Sequence, residues 1–90
     1  MQGNSECAEV SLPADVDLHA RPAALFVRTA MGFSAEVMVA AGERAASAKS
    51  LLSILALGAK RGTTLRLSAT GEDAAVAVRT LAATVAGLTE

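Results

Sequence analysis

The stretch Leu18-His19-Ala20-Arg21-Pro22-Ala23 holds the only histidine of the chain, with an arginine two residues on and a proline after it. From Ala20 the apolar residues Ala23, Phe26, Val27 and Ala30 fall at i, i+3, i+4 and i+7, the buried stripe of a helix that Gly32 stops. Pro22 is tolerated in the first turn, where amides have no intrahelical acceptor. His19 therefore falls at or beside the N-cap. The amides of Ala20 and Arg21, backed by the helix dipole, point at an anion placed there. Arg21 adds a planar guanidinium fork matched to phosphate oxygens. A neutral imidazole in that setting offers a ring nitrogen that can attack phosphorus. Ala20, Ala23 and Ala24 leave the ring uncrowded, so a second protein's active centre can come close. This chemistry is that of a phosphoryl acceptor working between proteins.

Other uses of a lone histidine fit less well. A metal site needs several convergent ligands, and His19 and the single Cys7 lack the usual spacing. A Ser-His-Asp hydrolase needs a nucleophile and an oxyanion hole, and no Gly-x-Ser-x-Gly elbow is present. A small phosphohydrolase would need an acid or base beside His19, for which Asp17 is the one candidate. A helix-capping or surface histidine without chemistry is the plainest alternative.

The elements that must position this stretch are readable from period and punctuation. Before it, "CAEVSLPA" alternates as a short strand ending at Pro13, and "ADVD" is an acidic loop. After it, Ala35 to Ala40 and Arg44 to Ser47 form a hairpin around Gly42. "SLLSILALG" opens on the capping residue Ser50 and closes on Gly58, a helix of about two turns. Its Leu51, Leu52, Ile54, Leu55 and Leu57 face all round, so some must stay exposed, which marks an interaction surface. "TTLRLSATG" alternates Leu65 and Leu67 with polar residues as a strand with one wet face. Last, Ala74, Val78, Leu81, Val85 and Leu88 recur at helical spacing behind an acidic start that suits the helix dipole. Strand, helix, strand, strand, helix, strand, helix implies an α+β two-layer domain with a largely antiparallel sheet.

Composition bounds the rest. Ninety residues, 52% hydrophobic, fit one domain with one core. A net charge of −1, scattered basic residues and only two aromatics argue against nucleic acid. One cysteine allows no internal disulfide, and "MQGNSECAEV" lacks the basic and apolar regions of a secretory signal, so a cytoplasmic protein is expected. "LLSILALGA" is far shorter than the roughly 20 residues of a membrane span, and no membrane insertion is expected.

"LHARPA" at 18 to 23, "FVRTAMGFSAEV" and "SAKSLL" at 47 to 52 together resemble HPr, the histidine-containing phosphocarrier family of the phosphoenolpyruvate-dependent sugar phosphotransferase system. The resemblance runs from about Glu9 to the end. It implies an open-faced sandwich, four antiparallel strands covered on one face by three helices in the order βαββαβα. It implies phosphorylation of His19 through Nδ1, with Arg21 and the Ala20 amide steadying the phosphoryl group and no cofactor. The implied partners are Enzyme I as donor and sugar-specific IIA components as acceptors, docking over Ala20, Ala24, Arg28, Leu51, Leu52 and Leu55. Ser50 matches a regulatory serine that an HPr serine kinase modifies in many members, and is equally a plain N-cap. A regulatory module of the same fold, signalling by its phosphorylation state, is the alternative function.

This chain departs from the family pattern at four places. Val16 and Asp17 stand where members often have a polar residue and glycine, and Met31 and Ser53 where many have lysine. Asp17 sets a carboxylate near a site meant for an anion.

Overall fold

The computed structural model describes residues 4–89, and the first residues of the N-terminal segment read above lie outside that range. Its elements are β1 (Ser5–Ser11), α1 (Ala20–Ala30), β2 (Glu36–Ala41), β3 (Arg44–Ser47), α2 (Leu51–Leu57), β4 (Thr64–Thr70) and α3 (Ala74–Ala86). The four strands form one antiparallel sheet in the order β1-β4-β2-β3.

Period-two patterning decides which sheet face is covered. In β4 the residues Leu65, Leu67 and Ala69 are buried while Thr64, Arg66, Ser68 and Thr70 are exposed. Register carries the same division across the sheet, because Val39 pairs with Leu67 and with Ala46, and Val37 with Ala69. The helices cover that face. They bring Phe26, Ile54, Leu81 and Val85, each fully buried, onto Val37, Val39, Leu65 and Leu67 in one core.

Local signals explain where the elements begin and end. Ser50 caps α2 by accepting a hydrogen bond from the Ser53 amide, and Gly58 ends it in a left-handed conformation at φ 68°. The start of α3 departs from expectation. Asp73 occupies the N-cap but makes no capping bond; its carboxylate instead accepts from the amides of Ser34 and Ala35, both at 2.8 Å. Those two donors lead into β2, so the acid serves a tertiary clamp in place of its own helix.

Two contacts fix how α1 lies against α2. The Leu18 amide donates to the Ala59 carbonyl at 3.0 Å, tying the start of α1 to the chain just past α2. The Lys49 ammonium donates to the Phe33 carbonyl, tying the chain past α1 to the approach to α2. The two helices thus run antiparallel.

Candidate functional site

The segment before α1 is pinned by alternate residues. Val16 and Leu18 are buried at 1% and 3% exposure, so Asp17 and His19 between and after them are turned outward. In the sequence Val16 stands out only as a departure from the family pattern. Its place in the core is what aims the residues beside it.

His19 is exposed and is the N-cap of α1, with an extended backbone at φ −97° and ψ −165° and no side-chain capping bond. The first helical hydrogen bond runs from the Ala23 amide to the His19 carbonyl at 2.9 Å. The Ala20 and Arg21 amides precede it, and Pro22 has no N–H to contribute. An exposed imidazole, two main-chain donors and the exposed Arg21 side chain thus share one helix start. That arrangement can receive a tetrahedral anion at the ring and offer it donors and a cation.

Asp17 is not an isolated carboxylate. Its Oδ1 accepts from the Arg61 amide at 2.7 Å and from Arg61 Nε at 3.2 Å, and its Oδ2 accepts from Nη2 at 3.3 Å. The Arg61 side-chain bonds, then its amide, hold the Asp17 carboxyl below the usual carboxylate range, with the charges of Arg61 and His19 adding to the effect. Sequence reasoning counted Arg61 only among scattered basic residues. A partner 44 positions away leaves no local signal.

The residues expected to dock partners fall into two groups. Leu51 and Leu52 are exposed at 38% and 80%, and Leu25 and Met31, which sequence reasoning did not single out as docking residues, at 44% and 62%. Four of the most exposed large apolar side chains thus belong to α1, its C-cap and the first turn of α2. Ala20 and Arg28 are exposed beside them, whereas Ala24 and Leu55 are half-buried, and Leu55 packs on the core. Ser50 stands at the end of α2 remote from Ala59, about 10 Å along a seven-residue helix from the end that meets the His19 segment. Its half-buried hydroxyl also donates to Ser53 Oγ at 3.0 Å.

Fold and site together define an open-faced βαββαβα sandwich with a surface histidine at the start of its first helix. Residues 7–87 match the family described as the PTS HPr component phosphorylation site. The chain is 46% identical over 77 residues to the phosphocarrier protein HPr of Haemophilus influenzae, covering 86% of this chain and 91% of that protein. It is 47% identical over 72 residues to a multiphosphoryl transfer protein of Xanthomonas campestris, covering 80% of this chain but 9% of that much longer one. The crystal structure of an HPr from Bacillus anthracis superposes with a TM-score of 0.86 at 33% identity, covering 90% of this chain and 96% of that one. The chain belongs to the HPr family, the phosphocarriers of the phosphotransferase system.

Proposed function

We propose that His19 is the residue that carries the phosphoryl group. The observation that supports this best is position: His19 holds the N-cap of α1, its side chain makes no capping bond, and it is exposed beside Ala20, Arg21 and their amides. A ring nitrogen attacks the phosphorus of a phosphohistidine on the donor. One N–P bond forms on His19 as the donor's N–P bond breaks, and the bonding pair returns to the donor imidazole. The same exchange, run outward, passes the group to a histidine of the acceptor. Family membership implies Nδ1 as the attacking atom. Charge on the moving group is stabilised by the Ala20 and Arg21 amides and the Arg21 guanidinium.

In this reading the donor is Enzyme I and the acceptors are IIA components, all in the cytoplasm, and the protein turns over no substrate of its own. Partners dock over Ala20, Ala24, Arg28, Leu51, Leu52 and Leu55, extended by Leu25 and Met31. No helix of the described residues is long and apolar enough to cross a membrane. Incubation with phosphoenolpyruvate and Enzyme I should add one phosphoryl group by mass, in an acid-labile, alkali-stable linkage. An unchanged yield in His19→Ala would overturn the assignment.

A further inference from the structure

Val16 and Leu18 point into the core, so the Asp17 carboxylate and the His19 ring emerge on the outward side of one short segment. A phosphoryl group arriving at His19 brings negative charge to the neighbourhood of that carboxylate, which by itself would oppose it. Arg61 meets the carboxylate with three hydrogen bonds at 2.7, 3.2 and 3.3 Å, from its amide and from Nε and Nη2 along one edge of its guanidinium. Its turn is held from a second direction by the Gly62 amide, which donates to the Pro13 carbonyl at 3.2 Å, while that same carbonyl accepts from Val16 at 3.3 Å. The turn carrying Arg61 and the segment carrying His19 are therefore one tied unit.

We propose that Arg61 is a positioning residue for phosphoryl transfer, which cancels the charge of Asp17 beside His19 and so keeps the site receptive to an anion. This rests on His19 as the phosphoryl acceptor. Arg61 acts through Asp17 and needs no contact with the phosphoryl group. Asp17 in turn replaces the freedom of a small residue at this place with a salt-bridged anchor, and Arg61 removes the electrostatic penalty of that anchor.

The test compares initial rates of phosphoryl gain from Enzyme I charged with phosphoenolpyruvate, at low and high salt, with folding of each variant checked by thermal melting. Arg61→Ala should be slower by roughly threefold to tenfold, the scale of one uncompensated unit charge in partly solvated surroundings. The deficit relative to the parent should shrink at high salt. Arg61→Lys, which keeps the charge, should retain most of the rate. The decisive variant is Asp17→Asn with Arg61→Ala, which loses the tie but also loses the charge needing cancellation; it should be faster than Arg61→Ala alone. A double variant as slow as Arg61→Ala would reduce Arg61 to a structural tether and overturn the proposal. A parent-like rate in Arg61→Ala would overturn it as well, leaving His19 as the acceptor. A parent that gains no phosphoryl group would overturn both.

Discussion

At the N-cap of α1 the backbone of His19 does the capping through its carbonyl, which accepts from Ala23, and its side chain makes no capping bond. Arg21 is exposed in the first turn of the same helix, with little packing to lose. Arg21→Ala should therefore slow phosphoryl transfer by roughly tenfold or more, as removal of a positioned charge from a developing anion does, and melt with the parent. Equal rates in parent and variant would make Arg21 a bystander. His19, Ala20 and Arg21 were legible in the sequence because their relation is local: a helix start fixes which amides lack acceptors, whatever the rest of the chain does. The Asp17–Arg61 pair was not, because it exists only once the turn after α2 lies beside the segment before α1. The carboxylate that sequence alone sets against the anion is, in the folded chain, neutralised at its source.

Helix α2 separates two roles within seven residues. Ile54 and Leu57 are buried in the core, whereas Leu52 is exposed and Leu51 partly so. Ile54→Ala should cost about 2–5 kcal/mol by thermal or urea unfolding, the range for truncating a buried aliphatic side chain. Leu52→Glu should change stability by about 0.5 kcal/mol or less while weakening Enzyme I binding in a titration; loss of stability with unchanged binding would assign Leu52 to the fold. Ser50 lies at the head of this helix, and a phosphate there would add about −1.5 to −2 charge where the dipole tolerates it. The antiparallel packing sets Ser50 at the end of α2 away from the His19 segment, so such a charge would act chiefly on the docking face, by opposing desolvation around Leu51 and Leu52. Ser50→Asp should keep its stability within about 1 kcal/mol yet accept phosphate more slowly than Ser50→Ala. Equal rates would leave Ser50 a cap alone. The helix was legible because the serine, the glycine and the excess of leucines all agree. The strand ends shifted by a residue or two, as in β1, which runs Ser5–Ser11 with Leu12 already turned into the core. Ladder ends depend on the partner strand, and β4 stops pairing with β1 at Thr64.

At the scale of the whole molecule, a concavity lies away from His19. It is an apolar depression of about 650 Å³ on the uncovered sheet face, lined by Cys7, Met38, Ala40 and Ala45 among others. A carrier that meets its partners protein to protein needs its histidine on the surface rather than in a cleft, and the buried side chains of α1 and α2 seat that pair on the covered face behind it. A clamp lies past the C-terminal end of α1. Asp73 binds the Ser34 and Ala35 amides, and Gly71, at φ 142°, passes so close to Ala35 that a Cβ would sit 2.9 Å from its Cα. The Ser34 amide first, then that of Ala35, hold the Asp73 carboxyl below its ordinary range, with the charge of Lys49 helping. A carboxyl whose folded pKa is lowered contributes stability above its unfolded value, near 3.9, and the contribution is lost as pH falls through the lower folded pKa. Asp73→Asn keeps one acceptor oxygen but not the charge. Its melting temperature should fall below the parent's at neutral pH, and the gap should close as both are acidified through about pH 4 and below. A gap that stays constant down to that range would mean that shape, and not the ionised carboxylate, holds the β4–α3 turn to the start of β2.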